Sequence, residues 1–193
     1  MSKIGLFFGS FNPIHIGHLI VAEYMVEFTD LKEVWFVVSP SNPLKKQQNL
    51  LDAHHRLYMV RLAIEDDFRF RASDVEFKLP YPSYTTHTLL KLEELYPDKK
   101  FALIMGEDNI ESLEKWKNYQ FILDNYSIYV YPRQGKGDHP LKQHPSVIFT
   151  NAPQIEISAT FIRNAIRENK KISYFLLPKI EEYIDLMGFY RKK

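Results

Sequence analysis

Six short apolar runs, each followed by a helix-period or loop segment, constrain this chain more than any other feature. The runs are Lys3–Phe8, Glu33–Ser39, Phe70–Phe77, Phe101–Gly106, Ser127–Tyr131 and Val147–Thr150, rich in Val, Ile, Phe, Trp and Tyr. Residues of that kind, in runs of four to eight, read as buried strands. Helical patterns are expected from just past His18, from Asp52 to Glu65, from the Ser83–Thr86 hydroxyl caps to Tyr96, and through Trp116 and Phe121. Pro40 and Pro97 act as stops. Strands alternating with helices require crossover connections, hence an α/β fold with a doubly wound parallel sheet of the Rossmann-like kind. The segment Pro132–Pro145, rich in Gly, Pro, Lys and His, is expected to be a mobile loop. Two helices over Ala159–Arg167 and Lys179–Leu186 predict a small C-terminal helical cap. With 193 residues and neither a repeat nor a low-complexity linker, the expectation is a single domain over 1–193, with 155–193 its helical subregion.

In folds of this class ligands bind beyond the carboxyl ends of the strands, near the reversal of strand order. The segment after the first run is Gly9-Ser10-Phe11-Asn12-Pro13-Ile14-His15-Ile16-Gly17-His18. It places two imidazoles, three residues apart, at the start of a helix whose free amides and positive dipole end favour anions. Gly9 and Gly17 would let the backbone approach a polyphosphate without a Cβ in the way. The bland alternative is a strand-turn-helix with two exposed histidines. A zinc site is disfavoured, because the chain has no cysteine and no carboxylate stands at ligand spacing from the pair.

Three other segments also follow predicted strands, so one site could gather all four. Ser158 is an N-cap for the helix beginning at Ala159, and Arg163 lies about one and a half turns on as a guanidinium for phosphate oxygens. Lys45 and Lys46 stand in a proline-bounded loop, either solvated or able to swing over a triphosphate. Gly106-Glu107-Asp108 ends a strand, and Asp108 either holds a ribose hydroxyl or caps the next helix. Trp116 is large for its polar surroundings and reaches a core or a ligand ring. The amides near Ser83–Thr88 either merely start a helix or hold a small carboxylate. Arg133 meets a phosphate or water.

Composition narrows the partners. Lys and Arg number 25 against 24 Asp and Glu, a formal charge of +1, so nothing draws the whole chain to nucleic acid or an anionic membrane. No apolar run approaches the length of a membrane span, and Met1-Ser2-Lys3 leads straight into a strand, so a soluble cytoplasmic protein is expected. The absence of cysteine removes thiolate and disulfide chemistry.

With these residues in place, the chain resembles the nucleotidyltransferase superfamily that carries a His-x-Gly-His signature, most closely its nicotinate mononucleotide adenylyltransferases. The resemblance spans essentially the whole chain. It rests on Gly9 to His18, on Pro43-Leu44-Lys45, on Pro82-Ser83-Tyr84-Thr85, on Gly106-Glu107-Asp108 with Trp116, and on Ser158-Ala159-Thr160-Phe161-Ile162-Arg163. The sequence departs from the family pattern at Phe8, where glycine is common, Asn12 for aspartate, Leu44 for histidine, and His87 for aspartate. His87 lies in the segment the family uses for the pyridine nucleotide.

The resemblance implies adenylyl transfer from ATP to nicotinate mononucleotide without a covalent intermediate. His15, His18, Lys45 and Arg163 would then be catalytic. Gly9, Ser10, Phe11, Gly17, Gly106, Asp108, Ile157 and Ser158 would bind the ATP co-substrate. Asn12, Tyr84, Thr85, Thr86, Trp116, Lys117 and Arg133 would bind the mononucleotide. Mg2+ would arrive mainly on the ATP phosphates, with no protein metal cage, and a homo-oligomer is left open. The alternatives are an enzyme for nicotinamide mononucleotide or another small phosphate, a non-catalytic nucleotide sensor, and a truncated class I aminoacyl-tRNA synthetase.

Overall fold

The computed structural model describes residues 2–40, 50–133 and 140–192. Six strands, β1 (Lys3–Gly9), β2 (Glu33–Val38), β3 (Phe70–Ser73), β4 (Lys100–Gly106), β5 (Ser127–Tyr131) and β6 (Val147–Phe149), form one sheet in the order β3-β2-β1-β4-β5-β6. Every pairing is parallel. Strand order reverses between β1 and β4, so the carboxyl ends of those two strands, at Gly9 and Gly106, frame the crevice where an open α/β sheet takes its ligands.

Both faces of the sheet are covered. Alternate side chains of one strand point to opposite faces, so Phe7, Phe36, Ile104 and Tyr129 enter one apolar layer and their neighbours Leu6, Trp35, Leu103 and Ile128 the other. Four helices cover the first layer: α1 (Ile16–Phe28), α2 (Ala53–Ile64), α6 (Ala159–Arg167) and α7 (Pro178–Met187). The second lies under α3 (Thr85–Leu95), α4 (Glu107–Ile110) and α5 (Tyr119–Asn125). Ile162, Ile166, Ile180 and Ile184 of the last two helices share the core of Met25 and Phe36, so the predicted helical cap packs on the sheet layer itself. Among the described residues no helix is long and apolar enough to cross a membrane.

Three local expectations need correction. The run Phe70–Phe77 is not one strand: β3 stops at Ser73, whose hydroxyl accepts from the Val75 N–H, and a 3-10 turn over Val75–Lys78 follows. The helix through Trp116 is broken into α4, a 3-10 turn at Leu113–Lys115 and α5, with Trp116 extended and Asn118 left-handed between them. The Ser83–Thr86 hydroxyls do not cap α3. Tyr84 is its N-cap residue and makes no side-chain cap bond, while Ser83 donates to Glu76. The predicted mobile loop at Pro132–Pro145 holds a 3-10 turn over Pro140–Gln143, and residues 134–139 lie outside the described residues.

Candidate active site

The turn from β1 into α1 is built on aromatic packing. Phe11 has a φ of 45°, a left-handed conformation uncommon for so large a residue. Its ring is buried between Phe7 and Phe36 and lies edge-on to His18, 5.1 Å between centroids. The chain therefore turns around its own side chain. A Cβ at Gly9 would stand 2.8 Å from that ring, and one at Gly17 would stand 3.1 Å from the His15 ring. A side chain at either glycine would thus crowd a ring of this same loop. The Phe11 ring, for its part, is buried against His18.

His15 and His18 stand with ring centroids 3.7 Å apart and planes 31° from parallel. His18 Nδ1 accepts from the His15 backbone N–H at 3.2 Å, which leaves the neutral ring's proton on Nε2, a donor. The helix start is less open than expected, since the Ile16 N–H already donates to the Phe175 carbonyl. Burial, assisted by the nearby Arg133 charge, pulls the His15 pKa down to about 4. His18 is pushed well below its ordinary value by burial, then by His15 and Arg133. The pair is therefore neutral at physiological pH.

The pair lines a small cavity of about 50 Å3 with Gly17, Arg133, Ile155 and Ile157. Arg133 Nη1 donates to Asp108 at 3.3 Å and its backbone N–H donates to the Glu107 carboxylate, so Asp108 is the partner of an arginine at this rim. A Cβ at Gly106 would come within 2.6 Å of Asp108 Oδ1, a contact that the Asp108 carboxylate could relieve by turning. Ser158 caps α6 as expected, its Oγ accepting from the Phe161 N–H at 3.1 Å. Arg163 is held by the loop itself: Nη1 donates to the Asn12 carbonyl at 2.8 Å and Nη2 to the Thr160 hydroxyl at 3.1 Å.

A second cavity, of about 370 Å3, opens beside the first and shares Phe7 and Tyr131 with it. Gly9, Ser10, Tyr84, Thr85, Trp116 and Lys117 line it. The Lys117 ammonium lies 4.3 Å from the Tyr84 ring centroid, so the Trp116 segment reaches the α3 N-terminus across the opening. Thr86 is buried rather than lining the cavity, its hydroxyl unpartnered. Asn12, expected to touch substrate, is also buried. Its Oδ1 accepts from the Leu51 N–H at 3.3 Å and from the Tyr190 hydroxyl at 2.8 Å, so it organises the loop. His87 is exposed and edge-on to Tyr84. Lys45 and Leu44 lie outside the described residues. Among the described residues no group of three or more His, Cys, Asp or Glu could hold a metal ion.

Three residues of the site escape sequence reading. Arg56, with no exposed surface, donates to the carbonyls of Ser10, Ser39, Pro40 and Leu51 at 2.5–2.8 Å, gathering the loops after β1 and β2. An arginine beside Leu57 and Val60 on the apolar side of its helix was the available signal. Glu76 is 5% exposed and lines the larger cavity. Tyr190 carried no local signal at all.

The model of the cytidylyltransferase-like family matches residues 6–165. A protein of Flavobacterium johnsoniae named "Probable nicotinate-nucleotide adenylyltransferase" is 56% identical, covering 98% of this chain and 100% of its own. One of Bacteroides thetaiotaomicron, of the same name, is 48% identical over 94% of this chain and 90% of its own. Among solved structures, the Plasmodium falciparum nicotinic acid mononucleotide adenylyltransferase complexed with NaAD superposes with a TM-score of 0.83, at 22% identity and 98% coverage of both chains. At that identity the likeness is one of fold.

Proposed function

The chain belongs to the cytidylyltransferase-like family and, within it, to the nicotinate-nucleotide adenylyltransferases, and on that premise we propose that it joins ATP and nicotinate mononucleotide into nicotinate adenine dinucleotide. An oxygen of the mononucleotide's 5′-phosphate attacks the α-phosphorus of ATP. The bond from that phosphorus to the bridging oxygen breaks, and its electron pair leaves with pyrophosphate. Nothing in this displacement needs a protein nucleophile; it needs alignment and compensation of charge.

The observation that carries the reading is the adjacency of the two cavities. The stacked imidazoles end one, Trp116 and the α3 N-terminus end the other, and Phe7 and Tyr131 form their common wall. Phosphates seated at His15 and His18 would therefore face a ring seated at Trp116. In this reading the neutral imidazoles donate N–H hydrogen bonds to α-phosphate oxygens, bonds that strengthen as charge builds there. Arg163, held beside the phosphate loop by Asn12, and Lys45 offset the β- and γ-phosphate charge. Mg2+ carried on those phosphates would supply further charge neutralisation, with Arg163 and Lys45 the protein's own share. Trp116 stacks on the pyridine ring. The free amides at Tyr84 and Thr85, with the Lys117 ammonium across from them, favour a carboxylate over a neutral amide on that ring.

Pyrophosphate release with Mg2+ and ATP tests the reading, with nicotinate and nicotinamide mononucleotide side by side. Turnover is expected mainly with the acid. Equal or reversed preference would assign the site to the amide, and tight nucleotide binding without release of pyrophosphate would make the protein a sensor.

A further inference from the structure

We propose that Glu76 is a positioning residue for the mononucleotide half of the site, holding the α3 N-terminus against the cavity wall. This rests on the reading that the α3 amides receive the substrate carboxylate. Glu76 stands in the 3-10 turn after β3 and is almost fully buried, yet its carboxylate borders the larger cavity. A buried carboxylate without compensation is costly, and burial raises its pKa. The compensation comes from three hydroxyls on separate stretches of chain. Thr88, within the first turn of α3, donates at 2.9 Å; Ser83, just before α3, donates at 3.3 Å; Ser39, just past β2, is the third. One side chain thus joins the end of a sheet strand to both sides of a helix start. Ser39, Ser83, Tyr84 and Thr85 all line the same cavity, so this junction forms its wall. Well-packed apolar residues would serve stability at least as well as a buried charge. What the carboxylate adds is direction: acceptors that fix where the α3 amides point.

The consequence is a selective one. Loosening the junction displaces the groups that meet the pyridine carboxylate and leaves the histidine cavity, on the other side of Phe7 and Tyr131, in place. In Glu76→Ala, KM for nicotinate mononucleotide is expected to rise about tenfold or more while KM for ATP changes by less than about threefold. The rate constant kcat/KM for the amide mononucleotide should change little, so the acid-over-amide ratio falls by about the same tenfold. Glu76→Gln keeps the shape and one acceptor and should recover most of that ratio. If Glu76→Ala fails to fold, Ser83→Ala combined with Thr88→Val removes two of the donors at nearly constant volume and should show the same pattern. Equal increases in both KM values, or an unchanged acid-over-amide ratio in folded protein, would overturn the proposal and leave Glu76 a structural residue. Wild-type protein that makes no dinucleotide would count against the catalytic reading instead.

Discussion

The imidazoles of His15 and His18 are kept neutral by the packing that positions them, and this couples the site to pH. Folding lowers the His15 pKa from 6.5 to about 4. Below pH 6.5 the unfolded chain takes up a proton at this residue and the folded chain does not. Stability from this group is therefore intact above pH 6.5 and declines as pH falls toward 4, by about 3 kcal/mol in all. His18 should steepen the same decline, since its shift has the same sign. Chemical denaturation of wild type and His15→Gln between pH 7 and 4 checks this: the variant should lose less stability over the interval, and parallel curves would refute the assigned burial effect. The two glycines beside the pair show how residue identity serves the same end. Gly9 yields space to the Phe11 ring and Gly17 to His15, so the loop's small residues shape its own large ones.

Among elements, what could be read in the sequence was what is local. Each strand carries its own apolar run, and the β1–α1 turn holds its histidines within ten residues, so the sheet and the histidine turn were both legible. The 3-10 turn after β3 was not, because Phe70, Ala72, Val75 and Phe77 keep the run apolar over a length that a strand could have. Its end is set by Ser73 capping Val75 and by Glu76 turning to meet hydroxyls from distant segments. The helix through Trp116 broke for a like reason, since an extended Trp116 lines the cavity where a helical pattern predicted continuity. Helix α2 illustrates what remains invisible: Arg56 reads as an oddity until its four carbonyl partners are seen. A lysine has one ammonium where arginine has a planar fork, so Arg56→Lys strands several buried carbonyls. The expected cost is about 3 kcal/mol or more in urea unfolding, from desolvated acceptors worth about 1–3 kcal/mol each. A loss below about 1 kcal/mol would show that water or neighbouring groups replace the guanidinium.

At the scale of the molecule, the site lies where strand order reverses, and the helices that close it come from both ends of the sequence. Asn12 lies just past β1, yet its side chain is satisfied by Leu51 and by Tyr190 beyond α7. Tyr190→Phe removes one of those donors and should cost about 1 kcal/mol, lowering Tm by roughly 2–4 °C. A melting temperature equal to wild type would mean the hydroxyl contributes nothing to the loop. The span from residue 12 to residue 190 also sets an order of events. On the ribosome β1 and its histidine turn emerge long before Tyr190, so the Asn12 side chain must wait for that partner to be made. The histidine turn is therefore made well before Tyr190 can fix it, and a nascent chain should gain nucleotide affinity only once Tyr190 has left the ribosome.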